Sequence, residues 1–253
     1  TFTTGPGELL ERLRAKCKVA LQRALARVDD RERAWLAASG EATRAAQLQP
    51  RTGVVLSYEE LHEDAVHHIG EQRVAAELDE EWERWPANLD KRERSLHLVH
   101  RLWRLSGRSG PAVVISYSPP FYPSIAVTAS PLHDAVADVI AAHPDLHLST
   151  QEFFPYLSDM SYLRLDPGVD IAALMANMPV WRDPDGSTRP GAYSLPLEAI
   201  RELDMPVVDL GPYGRGAHQR GERVQMSRSF ELLPLLIFET IVRLAKHVAP
   251  DAG

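Results

Sequence analysis

Apolar residues fall into a regular period after the break at Gly5-Pro6-Gly7. Leu10, Leu13, Cys17, Leu21 and Leu25 recur at three-to-four spacing, with Arg, Lys and Glu on the other face. That period predicts an amphipathic helix to about Asp30. Residues 31–52 are mixed and predict a short helix and a loop. Val54-Val55-Leu56 then leads into Ser57-Tyr58-Glu59-Glu60. This is the spacing of a capping box, in which the Ser57 hydroxyl accepts from the Glu60 amide and the Glu60 carboxylate accepts from the Ser57 amide. A helix is expected to follow. In the acidic stretch Glu77–Glu83 and just beyond, Leu78, Trp82 and Trp85 lie at helical spacing, so one face packs and the acidic face is solvated. Asp90 through Leu105 predicts another helix, with Leu96, Val99, Leu102 and Trp103 inward. The β-branched run Ala112–Tyr117, ended by Pro119, predicts a strand with substantial burial.

Ser130-Pro131 is a helix start, a capping hydroxyl followed by proline at the first position. Leu132, Val136, Val139, Ile140 and His143 follow at helical spacing. Leu146–Thr150 predicts a short strand, residues 151–168 a loop, and Ile171–Met178 a short helix. Asp183–Gly191 predicts an exposed turn-rich loop. Pro196–Leu203 predicts a helix, Pro206–Leu210 a strand and Gly211–Gly216 a glycine-rich loop. A closing helix over Phe230–His247 would turn Leu233, Leu236, Ile237, Thr240, Ile241 and Leu244 inward. Helices alternate with fewer strands, so the fold class expected is α/β or α+β, in two lobes divided near residue 128. The β-prone Thr1–Thr4 reads as the end of a strand, as if the chain began inside a larger fold.

Composition narrows the function classes. The chain has 253 residues, 28 Lys plus Arg against 35 Asp plus Glu, and a net charge of −7. That balance argues against nucleic acid or an anionic membrane as partner. One cysteine, Cys17, excludes an intrachain disulfide and a cysteine-rich zinc module, and its apolar helical position reads as a packed thiol. No apolar run reaches the roughly 20 residues that span a bilayer. The N-terminal residues carry no basic or hydrophobic leader, and a cytoplasmic location is expected.

Candidate chemistry is sparse. His62 and His67 are five apart, about 140° around a helix, so the zincin spacing is not met and a solvated face is the better reading. His97 and His100 share a face with Glu93 but have no further ligands. His133, His143 and His147 read as helix-surface or helix-end residues. No nucleophile-elbow or Walker sequence occurs, and Gly211, Gly214 and Gly216 run in the reverse order of a dinucleotide fingerprint. The informative stretch is Gly211–Arg223. Here Val207-Val208 would deliver the chain to a glycine loop that presents His218 and, four residues on, Glu222. A neutral imidazole on such a loop suits zinc, yet a catalytic zinc takes about three protein ligands. On the residues alone an ordinary loop histidine remains the favoured reading of His218.

Residues 153–163 (Phe153-Phe154-Pro155-Tyr156-Leu157-Ser158-Asp159-Met160-Ser161-Tyr162-Leu163), Asn177-Met178-Pro179-Val180-Trp181 and Leu195–Ile200, followed by the Gly211–Glu222 loop, change that balance. Their order resembles the arginine-utilisation (RocB-type) branch of the aminoacylase, acetylornithine deacetylase and carboxypeptidase superfamily of two-zinc hydrolases. Tyr117-Ser118-Pro119-Pro120-Phe121 and the opening helix resemble it more weakly. The resemblance runs over nearly the whole chain, specific over 151–234 and loose over 30–110. It implies that residues 1–127 are most of an α+β lid and dimerisation domain and that residues 128–253 are the C-terminal part of an α/β catalytic domain. By the same resemblance His218 matches the last zinc ligand and Asp159 the aspartate of a loop beside the cleft. Tyr162 would be a substrate-binding cleft residue, and Glu222 a catalytic residue that orients ligand or substrate. On their own residues, Glu222 could equally pair with Arg220 or Arg223, Asp159 could cap the turn at Ser161, and Tyr162 could simply pack. The His-x-Asp pair, the Asp-Glu-Glu segment and a further carboxylate ligand of the superfamily are absent from this sequence, and Gly221 stands where many relatives have Asn.

Two functions follow from the resemblance. In the first, the chain is part of a hydrolase with two zincs per intact subunit. It would cleave an amide bond in an N-acyl amino acid or small peptide, with zinc polarising the carbonyl and a glutamate taking the proton from water. In the second, the chain is a non-catalytic lid and dimerisation module. Either way the missing N-terminal half is an expected partner, self-association as a homodimer is expected, and the chain alone is expected to be inactive.

Overall fold

The computed structural model describes residues 5–123, 129–151, 159–166, 168–182 and 190–248. Its elements in chain order are helix α1 (Pro6–Ala38), α2 (Ala42–Gln47), strand β1 (Val54–Ser57), α3 (Tyr58–Ile69), α4 (Glu71–Glu83), α5 (Lys91–Leu105) and β2 (Ala112–Ile115). They continue with α6 (Pro131–Ala142), α7 (Ile171–Ala176), α8 (Leu197–Leu203), β3 (Gly214–Arg215), β4 (Arg223–Val224) and α9 (Leu233–Val248). This is a mixed α and β fold, as expected. The described chain divides into two compact units. The first comprises Thr3–Phe121 and Gly168–Pro196, and the second Tyr122–Pro167 and Leu197–Gly253.

In the first unit β1 and β2 pair in parallel, Val54 opposite Ala112 through Ser57 opposite Ile115. Parallel strands need a crossover, and α3, α4 and α5 supply it. The predicted capping box opens α3: the Glu60 amide donates to Ser57 Oγ at 3.1 Å, and the Ser57 amide donates to Glu60 Oε2 at 2.9 Å. Beneath the sheet Tyr58, Leu61, Ala65, Val74 and Leu102 form the buried cluster, with Leu56, Val99 and Val114 packed on it. Helix α1 runs eight residues beyond the predicted end. Its Asp29 is buried at 2% exposure, where it accepts from the Arg51 amide at 2.8 Å and pairs with the Arg51 guanidinium.

The inward face of α5 includes Val99, Leu102 and Trp103, as expected, but not Leu96. Leu96 is 68% exposed, whereas Leu98 and Leu102 are buried, and Arg94 and Ser95 are buried with them. Arg94, Leu98 and Leu102 lie four apart on one stripe. The charge of Arg94 kept it out of the expected inward face. The Arg94 guanidinium donates to the carbonyls of Trp82 (2.8 Å) and Pro86 (2.6 Å), with Trp85 O further off at 3.4 Å. It thereby gives carbonyls at and just beyond the end of α4 a second donor, beside the Trp85 amide on Trp82 O and the Leu89 amide on Pro86 O.

In the second unit α6 packs against α9. The predicted cap holds, with Ser130 Oγ accepting from the His133 amide. Ala135, Val136 and Val139 are buried on α6, and Leu236 and Thr240 on α9. His143 Nε2 lies 3.0 Å from Glu239 Oε2, and His247 Nε2 lies 3.0 Å from Asp138 Oδ2. Two predicted strands are absent. Pro144–Leu146 is a single 3-10 turn ended by His147 at φ 51°, a start that the fixed proline φ favours. Pro206–Leu210 is irregular with Val207 and Val208 half-buried, and among the described residues no strand lies beside it to complete a ladder. On α9, Ile237 and Ile241 are exposed rather than inward, at 37% and 59%. The loop predicted over 183–191 falls mostly outside the described residues.

Candidate functional site

The Gly211–Arg223 stretch does not follow a strand. It forms a small hairpin of its own, β3 antiparallel to β4, with Gly214 opposite Val224 and Arg215 opposite Arg223. Glycine is required at 214, because a Cβ there would stand 2.5 Å from the Arg223 carbonyl oxygen. The chain then turns with Gly216 at φ 69°, a left-handed angle that glycine adopts without steric penalty. The loop closes on itself: the Gln219 amide donates to Gly216 O and the Glu222 amide to Gln219 O, both at 3.0 Å. Its base is tied by the Gln225 amide to Tyr213 O at 2.9 Å and by Ser229 Oγ to the same carbonyl at 3.3 Å.

His218 stands in this loop, exposed, at φ 61°. Its amide donates to Glu222 Oε2 at 3.3 Å. The structure therefore brings His218 and Glu222 together through the histidine backbone. The carboxylate does not meet the imidazole, nor does it pair with Arg220 or Arg223, while the Arg223 guanidinium turns instead to Gly221 O at 3.2 Å. The His218 ring makes no hydrogen bond among the described residues. Tyr162 is half-buried and packs its ring against Tyr122, with centroids 5.4 Å apart. Asp159 begins a 3-10 turn, Asp159–Tyr162, and its side chain lies outside what the structure describes. Residues 153–158 of the motif lie outside the described residues as well. Among the described residues no group of three or more His, Cys, Asp or Glu is placed to hold a metal ion.

The Asn177–Trp181 motif takes a different place. It packs in the first unit, with Asn177 and Val180 fully buried and Met178 at 2% exposure. The Asn177 side chain accepts from the Glu59 amide (3.1 Å) and donates to Glu59 Oε2 (3.2 Å) and Ala173 O (3.0 Å). Its carbonyl accepts from the Tyr117 amide at 2.7 Å. One residue thus ties the end of α7 to the capped start of α3 and to the chain after β2. Beside this knot lies a cavity of about 390 Å³ whose wall includes Tyr58, His62, Leu78, Met178, Trp181 and Arg182. The sequence reading placed His62 on a solvated face. The signal it passed over is that Tyr58 and His62 are four apart, hence on one side of α3.

The chain is 30% identical over 166 residues to "Protein RocB" of Bacillus subtilis (strain 168), a match that covers 62% of this chain and 28% of that protein. It is 35% identical over 163 residues to "Uncharacterized protein YqjN" of the same organism, over 63% of this chain and 28% of that one. The chain is similar to RocB and YqjN. The matches span less than a third of the length of either relative, and about three-fifths of this chain rather than nearly all of it. No family model and no solved structure matches. Among the described residues no helix is long and apolar enough to cross a membrane.

Proposed function

We propose that the chain is part of a zinc-dependent hydrolase that cleaves an amide bond in an N-acyl amino acid or small peptide, in arginine utilisation. The observation that carries this reading is the state of His218. Its imidazole is exposed on a hairpin loop, its backbone is fixed in a left-handed conformation, and its ring has no hydrogen bond among the described residues. Similarity to RocB supports the reading. One imidazole does not make a zinc centre, and the described residues do not supply the rest of a ligand set. The other ligands and the general base would come from further polypeptide, in a cytoplasmic homodimer without nucleic-acid or membrane partners. Within this chain Glu222 would hold the His218 backbone in place, and Asp159 and Tyr162 would orient substrate.

The test is metal analysis and an N-acyl amino acid panel on the natural full-length polypeptide. Two zincs per subunit and hydrolysis are expected, with both reduced by His218→Ala. Full zinc content and full hydrolysis in His218→Ala would overturn the assignment. The 253-residue chain alone is expected to be inactive, and more than one tightly bound zinc in it would contradict the reading as a part.

A second reading, a non-catalytic lid and dimerisation module, is favoured by one feature. The outer face of α9 exposes Leu235 (60%), Phe238 (65%) and Ile241 (59%), a larger apolar stripe than a solvated helix carries. Light scattering would show a dimer that Phe238→Glu converts to monomer. A monomeric wild-type chain would remove this reading.

A further inference from the structure

The cavity in the first unit has the make-up of a binding site that neither reading uses. Tyr58 is buried to 8% exposure, yet its hydroxyl has no hydrogen-bond partner among the described residues. His62, one helical turn on, is half-buried and its ring is likewise without one. Both residues line the one cavity, where their polar atoms stay open to a ligand or to water. The third polar group is Arg182. It donates to its neighbour's carbonyl, Trp181 O, at 2.8 Å, and its guanidinium stacks on Trp82 with 4.9 Å to the ring centroid. Trp82 is itself backed by Arg94 at 4.7 Å and donates through Nε1 to Pro190 O at 3.2 Å. The cation is therefore set on a fixed platform.

We infer that this cavity binds a small organic monocarboxylate, its carboxylate accepting from the Tyr58 hydroxyl beside Arg182 and its apolar body lying on Leu78, Met175 and Met178. Size, charge and lining agree. About 390 Å³ lies at the lower end of small-molecule pockets, which are mostly apolar with a few convergent polar groups. Burial pushes the Tyr58 hydroxyl up to about 12 against the pull of the Arg182 charge, so it stays protonated and available as a donor at neutral pH. Asp79 lines the same cavity, and its negative charge disfavours a dianion such as phosphate. A charge-assisted hydrogen bond in a partly dry site is about twice as strong as a neutral one, which makes the charge of the ligand the readable variable.

This inference stands apart from the zinc reading, because none of its groups lies in the His218 hairpin. Isothermal titration of the 253-residue chain with 3-phenylpropionate tests it, with the neutral 3-phenylpropionamide and inorganic phosphate as controls. Trp181 in the cavity wall offers fluorescence as a second readout. One-site binding of the acid is expected, with the amide about tenfold weaker and phosphate not competing. Tyr58→Phe, nearly isosteric, should weaken the acid about tenfold, and so should Arg182→Gln at its half-buried position. Should Tyr58→Phe fail to give the wild-type circular dichroism, Arg182→Gln decides. The proposal fails on any of four results: no saturable binding of the acid, equal binding of acid and amide, competition by phosphate, or unchanged affinity in the folded variants.

Discussion

Replacing Arg94 by methionine isolates what a buried cation does for the first unit. Arg94 is 1% exposed, and its guanidinium fills the end of α4, donating to Trp82 O at 2.8 Å and Pro86 O at 2.6 Å. Methionine matches the aliphatic stem and removes both charge-assisted hydrogen bonds, while Trp82 O keeps the Trp85 amide at 3.5 Å and Pro86 O keeps the Leu89 amide at 3.0 Å. A hydrogen bond to a charged group contributes about 1.5–3 kcal/mol, so the gross loss of two is about 3–6 kcal/mol. Releasing a guanidinium from burial offsets part of that, because taking the charge out of water is itself expensive. The net expectation is a destabilisation of about 3 kcal/mol. For a unit of this size that lowers Tm by about 6–12 °C. Lysine keeps the charge but loses the planar fork and should fall between methionine and wild type. Urea unfolding followed by tryptophan emission is the fitting assay, since Trp82 lies under the guanidinium. A methionine variant within about 0.5 kcal/mol of wild type would refute the argument, because that is the range of an ordinary surface substitution.

Three further outcomes are expected. Asn177→Ala removes a fully buried amide with three side-chain hydrogen bonds and should lower stability by about 2–3 kcal/mol in chemical denaturation, with wild-type stability as the contrary result. Ser57→Ala deletes the hydroxyl of the capping box and should lower stability by about 1 kcal/mol, measured the same way. Asp29 is held below the usual carboxylate range chiefly by the Arg51 amide, then, against the opposing effect of burial, by the Arg51 guanidinium. A carboxyl with a depressed pKa stabilises the fold above its unfolded pKa, about 3.9, and that contribution is lost as pH falls through the folded value. The Tm of the wild type should therefore drop more as pH falls below about 4 than that of Asp29→Asn. Parallel Tm curves for the two would count against the role of this pair.

What the sequence disclosed depended on whether local rules sufficed. Ser57 and Glu60 announced the start of α3, and Ser130-Pro131 that of α6, because a cap needs only residues within one turn of each other. Strand β2 was legible from its β-branched content, whereas its parallel pairing with β1 was not. On α5 the inward Val99, Leu102 and Trp103 were legible and the buried Arg94 was not, since a cation reads as an outward residue until the end of α4 is seen to present carbonyls to it. The strands expected at 146–150 and 206–210 failed for a related reason: a strand is fixed by its neighbour, and no neighbour among the described residues pairs with either. At the site, His218 and Glu222 were legible as near neighbours, but their link through the histidine amide was not. The cavity of the first unit escaped notice because Tyr58 and His62 meet Met178, Trp181 and Arg182 only across more than a hundred residues.

The hairpin loop also bears on how His218 should be understood. A non-glycine residue at φ 61° carries a steric penalty of about 1–2 kcal/mol, which a loop histidine without a task could shed by relaxing. Here several contacts oppose that relaxation. Glu222 accepts from the His218 amide, the Gln219 and Glu222 amides close turns on either side, and Gly216 absorbs the second left-handed angle. Gly214 meanwhile lets β3 approach β4 more closely than any side chain would permit. Strain persists where the surroundings over-determine it, and such positions cluster at ligand clamps and switch regions. The loop spends its hydrogen bonds on the backbone of His218 and none on its ring. That arrangement leaves the ring open to a partner from outside the hairpin.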